Sequence, residues 1–282
     1  MNNHILVVDI AIAPAATHAV QGIAVTRGQM QFRFKDGVTV AVNCQDQASL
    51  LQEVRLRLAQ NRPFALATIN VDHLQRLPED AAFRQAYSQH DLICADGNPI
   101  VWLSRLARRP VSLVPGSDLV VPLMQEARNA NLPVALVGAN DDSLAKAAQK
   151  LRELVPGLNV ALCHAPGFPF DPDGSEGAEI IEKLRASGAR ICLLALGAPR
   201  QERFAIRARN ALPATGFASI GAGLDFLSGH QQRAPKLMRR IKMEWLWRMM
   251  SNPRRLAGRY ARGFTILPAH AVQAWKQRPE QR

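Results

Sequence analysis

Asp96 is the residue of this 282-residue chain best placed to do chemistry. It follows an apolar run at 92–95 that reads as a strand. Gly97 follows it and leaves room for a substrate against the carboxylate. A carboxylate so placed can take the proton from an attacking hydroxyl. The same spacing fits an N-cap for a helix starting near Pro99, so both roles stay open on position alone. The ends of other runs carry comparable residues: Thr68 and Asn70 close 64–69, Gly138 closes 134–137, Gly197 with Gln201 and Glu202 closes 191–196, and Gly221 closes 217–220. Glycines there admit phosphate groups to backbone N–H groups and helix N-termini. Each is also ordinary turn chemistry, but several on one rim point to a nucleotide-type site.

Other candidates carry less. Asp171 and Asp173 have the D-x-D form of metal-dependent sugar-nucleotide sites, yet the flanking prolines and Gly174 favour a turn and cap. No two of the seven histidines have a metal-ligand spacing, and His73 reads as a polar surface residue. No phosphate-binding G-x-x-x-x-G-K-[ST] loop and no G-x-S-x-G elbow occurs. Neither a metal nor a cofactor is expected. Cys44, Cys94, Cys163 and Cys192 are far apart and read as buried, reduced thiols.

The elements that must position these residues alternate. Strands are expected at 38–42, 64–69, 92–95, 134–137, 159–163, 191–196 and 217–220, with helices at 48–59, 81–89, 99–107, 118–130, 143–154, 177–186 and 201–211. The central strands are continuous apolar runs, as in strands covered on both faces. The fold class is therefore α/β: a mostly parallel, Rossmann-like sheet with helices on both faces, plus a basic helical C-terminal appendage. Ligands of such sheets sit beyond the carboxyl ends of the strands. We divide the chain into an irregular segment 1–36, an α/β catalytic domain 37–232 and a basic amphipathic appendage 233–282. The appendage reads as an apolar and basic segment at 236–250 and a second short helix at 254–264.

Charge separates the parts further. Residues 231–282 carry 13 Lys/Arg against two acids, Glu244 and Glu280, whereas the other 230 residues carry 22 and 21. A basic block of this kind seeks phosphate, in a nucleic acid, an anionic membrane surface or a diphosphate ligand. No run of 18 apolar residues and no secretory leader is recognised.

With these residues in view, the sequence resembles the WecG/TagA/CpsF glycosyltransferases (glycosyltransferase family 26). The shared motifs are T-x-N at 68–70, A-D-G at 95–97, P-G-S-D-L at 115–119, G-x-P-[KR]-Q-E at 197–202 and G-x-G-x-D-F-x-x-G at 221–229, the last containing Asp225. R-A-P at 233–235 and the E-W-L-W-R…N-P-R-R…R-Y run at 244–260 complete them. The likeness spans about 38–264. It implies an inverting, metal-independent transferase that moves a sugar from a UDP-sugar donor to a sugar on a polyprenyl diphosphate carrier, in cell-surface or exopolysaccharide synthesis. It implies Asp96 as general base, Thr68 and Asn70 in the same pocket, and Gln201 as an active-site residue. It also implies that appendage arginines matching Arg248, Arg255 and Arg259 hold diphosphate. Leu113 stands where the family commonly has an arginine, which points to an uncharged donor sugar. Arg105, Arg108 and Arg109 are the nearest candidates to compensate.

Elementary chemistry agrees. Inversion needs one base and a means of stabilising the leaving diphosphate, and arginines can grip phosphate bidentately. A carrier-bound acceptor keeps the enzyme on the inner leaflet of the cytoplasmic membrane, where each basic side chain gains about 1 kcal/mol from anionic lipid. Homo-oligomerisation is compatible with this reading. The competing class is a non-enzymatic protein binding nucleic acid through the basic tail. It explains the charge but not Asp96 or the strand-end glycines, and no nucleic-acid-binding motif is visible. An epimerase-like enzyme would need a G-x-G-x-x-G opening that is absent.

Overall fold

The computed structural model describes residues 29–230, 247, 250 and 253–279. Six parallel strands form one sheet: β3 (Phe64–Ile69), β4 (Leu92–Ala95), β5 (Val134–Gly138), β6 (Val160–His164), β7 (Ile191–Ala195) and β8 (Gly216–Ser219). Their spatial order is β4-β3-β8-β7-β5-β6. The chain moves from β3 out to β4, crosses to the other half at β5 and returns through β7 and β8. The carboxyl ends of β3, β8 and β7 therefore occupy the middle of one rim. A small antiparallel pair, β1 (Met30–Arg33) and β2 (Thr39–Val42), lies beside β4, where the amides of Asn43 and Cys44 donate to the Ile93 carbonyl.

The helices are α1 (Gln47–Ala59), α2 (Val71–Arg76), α3 (Ala81–Ser88), α4 (Asn98–Leu106), α5 (Gly116–Asn129), α6 (Asp141–Leu154), α7 (Ser175–Ser187), α8 (Arg200–Ala211), α9 (Gly223–Leu227) and α10 (Pro253–Lys276). Pleating sends successive strand residues to opposite layers. Ile191 and Leu193 of β7 pack with α1, α5 and α6, whereas Cys192 and Leu194 pack with α7 and α8. A third cluster joins β1 and β2 to α2, α3 and α4 and includes Ala274 of α10.

At the edge of the sheet opposite the rim, one carboxylate ties the layers together. Asp91 accepts from the Ala65 amide at 2.8 Å, from Arg57 of α1 at 3.1 Å and from Arg209 of α8 at 2.7 Å.

Several elements differ from the sequence-based expectation. Residues 30–33, expected to be irregular, form β1. α2 and α9 were not expected. α10 runs 24 residues instead of stopping near 264. β6 is the sheet's edge, with alternate residues exposed, so Cys163 is exposed, not buried. The segments 1–28 and 236–250 lie outside the described residues, apart from Trp247 and Met250.

Candidate functional site

The register Thr68↔Cys94 and Ile69↔Ala95 sets the ends of β3 and β4 side by side. The Asp96 amide continues the ladder by donating to the Ile69 carbonyl at 2.8 Å. This aligns the Asp96 side chain with Thr68, whose hydroxyl donates to Oδ2 at 3.4 Å. Gly97 follows at φ +123°, a conformation that a Cβ would strain, so the sharp exit from β4 depends on glycine. It leads into α4, which begins without a side-chain cap. Asp96 is half-buried, and it does not serve as the N-cap.

Asn70 caps α2. Its side chain accepts from the His73 amide at 3.2 Å, and its own amide donates to His73 Nδ1 at 3.3 Å. His73 is thus buried, at 7% exposure, and is not the surface residue expected. Beneath it Tyr87 donates to the Thr68 carbonyl at 2.6 Å and fixes the Thr68 backbone. Burial, then the negative charges of Glu202 and Asp96, push the Tyr87 phenol far up, so it stays a neutral donor.

Gln201 and Glu202 open α8 beyond β7 and are 4% and 0% exposed. Gln201 Nε2 donates to Glu202 Oε1 at 2.8 Å. Among the described residues, Gln201 Oε1, Glu202 Oε2 and the buried Ser219 hydroxyl at the end of β8 have no hydrogen-bond partner. Burial pushes the Glu202 carboxyl up to about 7, opposed by its bond to Gln201 and by Arg76. Arg76 bridges the two halves of the rim: it donates to the Ala198 carbonyl at 3.1 Å and pairs with Asp72 at 3.1 Å.

The remaining glycines divide. Gly197 and Gly221 have φ of +72° and +56° at the ends of β7 and β8, facing the same rim. Gly138 is different. A Cβ there would come within 2.4 Å of the Ala195 backbone, so this glycine is required for β5–β7 packing. It also lies four strand spacings from Asp96 in the sheet order, roughly 19 Å. Asp225 is half-buried on α9, next to β8 on the α5–α6 side.

The D-x-D pair is used locally: Asp171 accepts from the Asp173 amide at 3.0 Å, and Asp173 pairs with Arg203. Among the described residues no group of three His, Cys, Asp or Glu is placed to hold a metal. Leu113 bridges to Ala95 at the end of β4, beside Asp96, and is 41% exposed. Arg105, Arg108 and Arg109 lie away from Leu113. They follow α4 to its far end, a helix of nine residues and so about 13 Å from Gly97, and Arg109 is engaged by the Gln29 carbonyl.

Sequence reasoning missed the part of α10. This helix packs on α2, α4 and β1. Gly263 lies against Val71 at the rim, and Arg278 bonds the Leu106 carbonyl at the far end of α4. The turns before Gly263 therefore extend past the rim. Only the backbone of Arg255 and Arg259 is described, and Arg248 lies outside the described residues. The helical spacing of Ile266, Leu267, Ala271 and Ala274, which pack on the body, was the available signal. No helix among the described residues is long and apolar enough to cross a membrane.

The sequence profile described as the Glycosyl transferase WecG/TagA/CpsF family matches residues 36–282. The match extends beyond residue 264, where the motif likeness was taken to end, and so takes in the whole of α10. Together with a parallel α/β sheet whose T-x-N and A-D-G motifs meet at adjoining strand ends, this match over most of the chain places the protein in the WecG/TagA/CpsF family of glycosyltransferases, which serve cell-wall polymer biosynthesis.

Proposed function

We propose that the protein transfers a sugar from a UDP-sugar to a sugar carried on a polyprenyl diphosphate, with inversion and without a metal, at the inner face of the cytoplasmic membrane. The observation that carries this reading is the junction of β3 and β4, where Thr68 donates to a half-buried Asp96 on a rim overhung by α10.

Asp96 takes the proton from the acceptor hydroxyl as that oxygen bonds the donor's anomeric carbon. The bond from that carbon to the UDP oxygen breaks, and its electron pair leaves with UDP. Thr68 holds the carboxylate in register. Gln201 Oε1 and Glu202 Oε2, buried and without a hydrogen-bond partner among the described residues, are suited to sugar hydroxyls. Backbone N–H groups around Gly97, Gly197 and Gly221 face the phosphates, Asn70 shapes the pocket by holding α2, and Asp225 flanks it from α9. Arg248, Arg255 and Arg259 receive the charge of the departing or acceptor diphosphate, the part a metal plays elsewhere. Residues 37–232 carry the chemistry, and 233–282 supply the cations and the membrane contact. Leu113 beside Asp96 favours an uncharged donor sugar.

The test is a panel of UDP-sugars incubated with a short-chain polyprenyl diphosphate-sugar and analysed by mass spectrometry. One added hexose mass on the acceptor, lost in Asp96→Asn, is expected. No product from any UDP-sugar would overturn the reading.

A further inference from the structure

At its carboxyl end the sheet parts into two halves. β3 keeps β4 to Ile69↔Ala95, and β8 keeps β7 to Leu194↔Ser219. Between the halves, the pairing of β3 with β8 ends earlier, at Leu66↔Ala218. The chain leaves β3 for α2 in one layer, and leaves β8 for α9, which packs on α5 and α6 in the other. Parallel sheets admit ligands at such a parting. One hydrogen bond stands in place of the next rung. The carbonyls of Ala65 and Ile69 face β4, where they accept from the Asp91 and Asp96 amides. The Thr68 carbonyl therefore faces β8. Continued in register, Thr68 would stand opposite Ile220, and the Gly221 amide would donate to that carbonyl. Tyr87 donates to it instead, at 2.6 Å from α3. Its other neighbour, His73 Nδ1 at 3.3 Å, already accepts from the Asn70 amide. The ring is buried and set edge-on to Phe83, with centroids 5.2 Å apart, so the hydroxyl is fixed in place. Gly221 turns away at φ +56°, and among the described residues its amide makes no hydrogen bond.

We propose that Tyr87 is a positioning residue that holds β3 and β8 apart at the rim and so keeps the Gly221 amide free for the donor's diphosphate; this rests on the transfer reaction proposed above. Tyr87 itself is sealed behind the sheet and acts through the one carbonyl it occupies. The same bond steadies Thr68, whose hydroxyl donates to Asp96. A backbone N–H only donates, and the oxygens of an ionised diphosphate accept in the stronger, charge-assisted bonds. That amide lies across the parting from Thr68 and Asp96, where the leaving group of a sugar held at Asp96 would extend.

The test follows exchange of the Gly221 amide by NMR in the full chain with isotope-labelled glycine, beside UDP affinity by calorimetry. In the ligand-free parent that amide should exchange freely, and UDP should slow it roughly tenfold or more. Tyr87→Phe removes the hydroxyl and keeps the ring. Its Gly221 amide should be protected without ligand, because the rung can close, and UDP should bind roughly tenfold more weakly. A Gly221 amide protected in the ligand-free parent would overturn the proposal, as would one slowed by neither UDP nor inorganic pyrophosphate. So would a variant with a lowered thermal midpoint but parental Gly221 exchange and UDP affinity, which reduces Tyr87 to packing. A variant that does not fold assigns Tyr87 to stability and overturns its positioning role. A parent whose Gly221 amide answers UDP as expected, but which turns over no UDP-sugar, refutes the reaction alone. Transfer by Tyr87→Phe at the parent's rate and UDP affinity refutes the role of Tyr87 alone.

Discussion

Gly263 of α10 meets Val71 of α2 so closely that a Cβ on the glycine would lie 2.8 Å from Val71 Cγ1. Val71 directly follows Asn70 and the end of β3. The C-terminal helix is thus keyed to the segment that presents Thr68.

Gly263→Val should therefore cost about 1–3 kcal/mol through overpacking, read as a fall in thermal midpoint of roughly 2–4 °C per kcal/mol for a chain of this size. Transfer should fall at temperatures where the protein remains folded. An unchanged midpoint together with unchanged transfer would mean that α10 does not sit on α2.

The Asp91 cluster should behave oppositely, because it lies at the other edge of the sheet. Asp91→Asn strips charge from the partner of Arg57 and Arg209 and should cost about 3–5 kcal/mol, measured by urea unfolding. The turnover of the folded fraction should stay within twofold of the parent.

Much of this was legible in the sequence. The buried strands are continuous apolar runs, and the T-x-N and A-D-G motifs mark two strand ends that the sheet sets side by side. β1 was not legible because its burial depends on distant chain. The Gln277 side chain donates to the Gln31 carbonyl at 2.6 Å and accepts from its amide at 2.9 Å. The length of α10 was hidden by Pro268, which ordinarily stops a helix. Here it lies on the exposed side while Ile266, Leu267 and Ala274 are held by α2, α4 and β1. His73 was misjudged because a polar residue just past a strand reads as a loop until its cap with Asn70 is seen.

Two buried groups give stability a pH dependence of opposite sign. The Glu202 carboxyl is raised from 4.5 to about 7 in the folded protein, so the native state binds more protons and stability falls as pH rises across that window. The His90 ring is lowered from 6.5 to about 4 by burial, so stability falls as pH drops through that interval. Glu202→Gln should become more stable relative to the parent between pH 5 and 8, by on the order of 3 kcal/mol. A difference independent of pH would contradict the raised, buried carboxyl.

Because Asp171 is tied to the Asp173 amide and Asp173 to Arg203, EDTA should leave transfer unchanged. Activity lost to EDTA and restored by Mg²⁺ or Mn²⁺ would contradict the metal-independent mechanism.

The most direct test of the account is the transfer rate of Asp96→Asn with UDP-sugar and a short-chain acceptor, measured beside its UDP affinity and thermal midpoint. The substitution keeps the shape beside Thr68 and removes only the proton acceptor. A loss of about 10²–10⁴ in turnover, with UDP affinity and midpoint close to the parent's, is the predicted result. Turnover within a few-fold of the parent would show that Asp96 is not the base.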